Sequence, residues 1–233
     1  MNALRRRLPN APELPVLIGL LLIALLAWGF LALLGEVKEG DTHAIDEAIL
    51  LSMRHADDLS VPKGPAALPE MARDVTALGG FTVLPLLVLF VAGYLLLSHK
   101  PRIAGVVCGA AAGGGLLLSV VKELVNRPRP QVVPHLMQVH SASFPSGHSM
   151  LSATVYLTLA ALLAEFSTGR ALKIFLIAAA SLLTLLIGLS RVYLGVHYPT
   201  DVLAGWSAGL AWATLVWLFA RKLKREGLVP PNT

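Results

Sequence analysis

The sequence predicts an all-α, polytopic membrane protein with six transmembrane helices. Three observations carry that expectation. Hydrophobic residues fill 55% of the 233 positions and charged residues only 14%, against about 25% charged in soluble domains. Mean hydropathy is +0.70. Six apolar stretches, at about 16–34, 80–97, 103–121, 149–166, 171–190 and 202–220, each match the roughly 17–25 residues a helix needs to cross hydrocarbon.

The first stretch, LPVLIGLLLIALLAWGFLALLGE, follows Arg5, Arg6 and Arg7. That layout resembles a signal peptide, but the apolar run exceeds the usual core of about 7–15 residues and no small-residue cleavage site stands out. A retained helix is expected. Residues 41–54, DTHAIDEAILLSMR, open with an Asp or Thr cap and gather apolar residues on one side. They predict a short amphipathic helix at the outer interface, serving to admit lipid or simply to connect. RDVTALGG at 73–80 precedes the second span, which turns through SHKPR into the third. On that third span Gly105, Gly109 and Gly113 recur every four residues, predicting close packing within the bundle rather than dimerisation. Cys108 is the single cysteine; it reads as a small packing residue and has no partner for an internal disulfide. No linker, low-complexity tract or long repeat divides the chain, so residues 1–233 read as one membrane domain.

Basic residues set the expected orientation. In a six-span layout the N-terminus, the turns at 98–102 and 165–173, and the C-terminus share one side, with 11 of the 19 Lys and Arg residues. The first loop on the other side has nine acidic residues between Glu36 and Asp74 and a net charge of −5. Short basic loops stay in the cytoplasm, so both termini are expected inside. The expected location is a bacterial inner membrane, with the opposite face toward the periplasm. The +5 net charge owes much to RKLKRE at 221–226, beside a span, where anionic membrane lipid is the natural partner. No nucleic-acid-binding signature appears.

Beyond the first loop, every outer-side cation falls in two short segments, residues 122–149 and 190–201. These cations are Lys122, Arg127, Arg129 and Arg191, and the only carboxylates beside them are Glu123 and Asp201. Magnesium or calcium would want several oxygen ligands. Zinc on His148, His197 and Asp201 would be repelled by the cations around it. An anion is the fitting guest, and phosphate suits planar guanidinium groups best. No metal or cofactor is therefore expected.

Pro145-Ser146-Gly147-His148 stands at the entrance to the fourth span. Ser146 suits an N-cap, Gly147 lets a ligand approach the backbone, and free N–H groups there would face a bound anion. The same tetrapeptide also fits an ordinary capped helix with a histidine at the interface. HYPTD sets His197 just before a helix begun by Pro199, with Asp201 in the first turn and able to reach back to the imidazole. Such a pair suits a nucleophilic histidine, or equally a capping aspartate beside an unrelated histidine. His135 and His140, between the two motifs, read as surface residues or headgroup contacts.

Together these segments resemble the type 2 phosphatidic acid phosphatase family, in its integral-membrane lipid phosphatase branch. The family signature K-x6-R-P, P-S-G-H and S-R-x5-H-x3-D is matched by Lys122 to Arg129-Pro130, by Pro145 to His148, and by Ser190-Arg191, His197 and Asp201. RDVTALGG looks like a further family feature without assigned chemistry. The resemblance implies that His197 attacks phosphorus to form a phosphohistidine, supported by Asp201. It implies that His148 protonates the leaving oxygen and later activates water. Lys122, Arg129 and Arg191 would hold the phosphoryl oxygens, assisted by the Ser146 hydroxyl and the Gly147 backbone. Arg127 lies inside the x6 stretch, which the signature does not claim; help with phosphate and contact with lipid headgroups are both open to it, and it reads as a residue behind those contacts.

The expected activity is metal-independent hydrolysis of a lipid phosphomonoester or pyrophosphate, such as phosphatidate, phosphatidylglycerol phosphate or a polyprenyl pyrophosphate. A lipid-linked phosphotransferase would use the same site, and a non-catalytic lipid transporter the same scaffold. Vanadium haloperoxidases share a related anion pocket but are soluble proteins. Monomer and homodimer are equally open.

Overall fold

In the computed structural model the chain is described over residues 14–139 and 141–226. Arg5–Arg7, His140 and both chain ends, for which a cytoplasmic placement is expected, lie outside the described residues. Nine helices and no strand occur among the described residues: α1 (Leu14–Glu39), α2 (His43–Ser52), α3 (Leu68–Ala77), α4 (Val83–Leu97), α5 (Pro101–Val125), α6 (Gly147–Ser152), α7 (Thr158–Phe166), α8 (Arg170–Tyr193) and α9 (Pro199–Arg225). A π-helical turn at Ala153–Leu157 joins α6 to α7, so the two form one rod.

Five of the six expected spans are helices long and apolar enough to cross a membrane: α1, α5, the α6–α7 rod, α8 and α9. The remaining one is shorter than expected. The stretch 80–97 becomes α4, of 15 residues, about 22 Å long against a hydrocarbon thickness of about 30 Å. Its first residues are given up to a turn through Gly79 and Gly80, where Gly80 N–H donates to Ala77 O at 3.0 Å. Leucines exposed on α1, α4 and α8 point away from the bundle, as lipid-facing positions do.

α9 is the central rod, packed on α1, on α5, on the α6–α7 rod and on α8. Two tryptophans lock it in place: Trp212 Nε1 donates to Ala110 O of α5 at 2.9 Å, and Trp206 Nε1 to Thr184 O of α8 at 3.1 Å. Gly205 allows α9 to lie against the start of α6, since a Cβ there would fall 2.7 Å from Ser146 O. The opening turns of two helices are thereby pressed together at one end of the bundle.

Two expectations about α5 need correction. Gly105 and Gly109 face open space, and only Gly113 receives a neighbour, Trp212. Cys108 is exposed rather than packed. A four-residue glycine spacing permits contact on that face but does not require it.

The expected amphipathic helix at 41–54 is α2, and it is more than a connector. Asp46 and Leu50 on its inward stripe are both buried, and Leu50 packs with Val133, Val192, Tyr198 and Val202. α3, which follows, buries Ala72 against Leu194 and Val196. The first loop thus folds down on the segment between α8 and α9.

Candidate active site

That segment holds His197. α8 stops at Tyr193, whose carbonyl accepts a hydrogen bond from Arg54 Nη2 at 3.0 Å, a cation placed where the helix dipole favours one. The chain then turns through Gly195 at φ +73°, a left-handed conformation that a side chain disfavours. A Cβ there would also come within 2.9 Å of Arg54 Nη2. His197 follows, and Pro199 opens α9 in its first turn.

His197 is 1% exposed, and its two ring nitrogens meet different surroundings. Nδ1 lies 3.4 Å from Asp201 Oδ2 and 3.4 Å from Ser143 Oγ. Nε2 lies 3.3 Å from Arg129 Nη1. A guanidinium has only donors to offer, so Nε2 presents its lone pair and the ring proton belongs on Nδ1, toward Asp201. Burial pushes the imidazole down to about 3, outweighing the upward pull of Asp201. At neutral pH the ring is therefore uncharged, the form in which Nε2 can attack.

Asp201 is 0% exposed and surrounded by donors. Its Oδ2 accepts from Tyr198 N–H at 2.9 Å and from Ser143 Oγ, while its Oδ1 accepts from Arg127 Nη1 at 2.7 Å. A carboxylate held on this many bonds is fixed in orientation as well as in charge.

Nε2 opens on a cleft of about 360 Å³ lined by Lys122, Arg129, Gly147, His148, Arg191 and His197, with Phe81 at its side. These six polar or backbone-presenting positions were all expected from the sequence. They come from the end of α5, the loop after it, the start of α6, the end of α8 and the turn before α9. Three of them are cations, and no carboxylate among the described residues lines the cleft.

Backbone carbonyls and hydroxyls aim those cations. Arg129 donates from Nε to Ser141 O at 2.7 Å and from Nη1 to Val196 O at 2.6 Å. Lys122 Nζ donates to Ala142 O. Arg191 is 2% exposed, and its Nη1 donates to Thr76 Oγ1 at 3.1 Å, while its Nε has no hydrogen-bond partner among the described residues. Burial lowers the Arg129 guanidinium from its ordinary value and Asp201 partly offsets this; a guanidinium stays a cation in proteins. A phosphoryl group entering here would meet positive charge from several directions.

His148, in the first turn of α6, stands edge-on to Phe81 with ring centroids 5.9 Å apart. RDVTALGG now has a structural account: Thr76 holds Arg191, and Gly79 and Gly80 lie against His148. His135 is exposed on its loop, with Nε2 2.7 Å from Pro130 O.

Three expected residues do not line the cleft: Asp201, which lies behind His197, Ser146 and Arg127. Ser146 is buried, and its hydroxyl accepts from Ser149 N–H at 3.4 Å and from Ser149 Oγ at 3.0 Å. The expected helix cap is thus present, and Ser146 is not among the residues that line the cleft. Arg127, expected behind the contacts, is there: 9% exposed and held by Asp201 and Asp46. No group of three or more His, Cys, Asp or Glu able to hold a metal occurs among the described residues. Asp46, Thr76, Ser143 and Thr200 were not foreseen as part of this site.

Comparison with known proteins agrees with the motifs. The PAP2 superfamily model matches residues 103–225. Phosphatidylglycerophosphatase B of Bacillus subtilis (strain 168) is 39% identical over 163 residues, covering 68% of this chain and 78% of that protein. A lipid A 1-phosphatase of Rhizobium johnstonii is 30% identical over 200 residues, 75% of this chain and 78% of the relative. The crystal structure of a transmembrane PAP2 type phosphatidylglycerolphosphate phosphatase from Bacillus subtilis superposes with a TM-score of 0.77 at 31% identity, covering 87% of this chain and 98% of that one. With six of its signature residues lining one cation-rich cleft, the chain belongs to the PAP2 superfamily as an integral-membrane phosphatase.

Proposed function

We propose that the chain hydrolyses a lipid phosphomonoester or pyrophosphate at the outer face of its membrane, through a phosphohistidine on His197. One observation carries this reading: His197 turns Nε2 to a cleft of cations and Nδ1 to a buried carboxylate. The named activities of the relatives, on phosphatidylglycerophosphate and on lipid A, support a lipid phosphate as substrate.

In the first step Nε2 attacks phosphorus, and the bond from phosphorus to the lipid oxygen breaks. His148 gives its proton to that oxygen, and the lipid alcohol or lipid monophosphate leaves. Asp201 holds the Nδ1 proton and balances the charge that builds on the ring. Lys122, Arg129 and Arg191, with the backbone at Gly147, neutralise the equatorial oxygens, where most of the transition-state charge lies. In the second step water gives a proton to His148 and its oxygen attacks phosphorus. The nitrogen–phosphorus bond breaks, and phosphate departs.

One membrane domain over 1–233, with both termini cytoplasmic, is the arrangement that the distribution of Lys and Arg favours. The test is phosphate release by the purified protein, with EDTA present, from phosphatidate, phosphatidylglycerol phosphate and a polyprenyl pyrophosphate. Release that survives the chelator and disappears in His197→Ala is the expected result. Release that persists in His197→Ala overturns the mechanism.

A further inference from the structure

We infer that Asp46, on the short outer helix α2, is a positioning residue for the Asp201–His197 pair and acts through Arg127. The inference rests on the phosphohistidine reading above. Asp46 does not touch the cleft. It is 0% exposed, and the groups that face it come from elements distant in sequence.

Its bonds are specific. Oδ1 accepts from Thr200 N–H at 3.0 Å, one of the free donors at the start of α9. Oδ2 accepts from Arg127 Nη2 at 2.9 Å and from the Thr200 hydroxyl. Arg127 therefore holds two carboxylates at once, with Nη2 on Asp46 and Nη1 on Asp201 Oδ1 at 2.7 Å. Nη1 also donates to Thr200 Oγ1 at 2.9 Å, and the guanidinium carbon lies 4.1 Å from the centre of the Tyr198 ring.

This division decides what Asp201 can do for His197. A guanidinium prefers to take both oxygens of one carboxylate. Held by Asp46, Arg127 takes only Oδ1 and leaves Oδ2 to Ser143, Tyr198 N–H and the imidazole. Without Asp46, Arg127 would have one carboxylate left and would compete with His197 for it. Its full positive charge would then oppose the charge that develops on the ring during attack.

Asp46→Asn tests this in the full-length chain, using the best substrate of the lipid panel. The variant keeps acceptor oxygen for Thr200 and loses the charge that holds Arg127. Its kcat should fall about tenfold with KM nearly unchanged, as is usual when a partner that orients an active residue is lost. Asp46→Glu should recover most of that loss. In an Arg127→Gln background, Asp46→Asn should cost nothing further, because the residue it acts through is gone. Wild-type kcat in Asp46→Asn, or losses that multiply in the double variant, would overturn the inference. Should Asp46→Asn not fold, Thr200→Val removes the hydroxyl between Asp46 and Arg127 with little change of shape. A smaller fall in kcat is expected there, and none would count against the inference. Activity retained in His197→Ala would strike at the mechanism itself, whereas a dead His197→Ala beside a fully active Asp46→Asn would strike at this inference alone.

Discussion

Arg127 and Arg129 are two residues apart in sequence, and each precedes a proline, yet they belong to opposite kinds of environment. Arg127 is enclosed, with both of its amino groups on carboxylates. Arg129 lines the cleft, held by carbonyls that aim it without neutralising it. The same contrast separates the two sides of His197. Behind the ring, charges are matched among Asp46, Arg127 and Asp201. In front of it, Lys122, Arg129 and Arg191 stand without a paired carboxylate among the described residues. A buried charge that lacks its counter-ion is costly, and the cost is recovered when a ligand brings the missing charge. Compensation thus marks the framework, and its lack marks the place proposed for the anion.

The sharpest way to break this contrast is to remove the group at its centre. His197→Ala should lower kcat by on the order of 10⁴-fold or more, as loss of a nucleophile does, with the folded protein retained. Next come the cleft cations. Arg129→Lys or Arg191→Lys keeps the charge but loses the planar fork, and should cost on the order of 10²-fold in kcat with the melting temperature unchanged. Arg127→Met should do the reverse and act first on stability. It leaves Asp46 and Asp201 buried and facing each other, at a cost of about 3–5 kcal/mol, read from thermal unfolding in detergent. If the Arg129 variant loses stability and the Arg127 variant does not, the contrast fails. Ser143→Ala removes one donor from Asp201 and should cost about 1 kcal/mol of stability.

The gentlest test uses pH. The His197 ring is held near 3 in the folded chain, against about 6.5 when unfolded. Between those values the unfolded chain takes up a proton that the folded chain refuses. Stability from this group is therefore present above about 6.5 and is lost as pH falls toward 3, with a slope of up to about 1.4 kcal/mol per pH unit. The melting temperature should drop between pH 7 and pH 5, and drop less in His197→Gln.

Much of this was legible in the sequence, though unevenly. The spans could be read because hydrocarbon demands continuous apolar runs of fixed length. The cleft residues could be read because phosphate chemistry needs cations beside histidines at fixed local spacings. What lies behind His197 was not visible in that way. Asp46 meets Arg127 across 81 residues, and Thr76 meets Arg191 across 115, so no spacing rule joins them. One signal did exist for Asp46: it shares a helical stripe with Leu50, and a carboxylate on the inward face of an amphipathic helix calls for a buried partner. Ser146 carried two readings at once, because a helix cap and a phosphate contact draw on the same residue type; the cap is present, with the hydroxyl accepting from Ser149 N–H.

The open face of α5 has a practical consequence. Gly105 and Gly109 have no neighbour within 4 Å of an added Cβ, and the chain's single cysteine, Cys108, is exposed between them. Two thiols join only when their Cα atoms come within about 4.4–6.8 Å. Mild oxidation of the native protein in its own membrane, read on a non-reducing gel, therefore measures whether a second copy packs helix to helix on this face. The chain already carries its own cross-linking probe, and no residue has to be changed to use it.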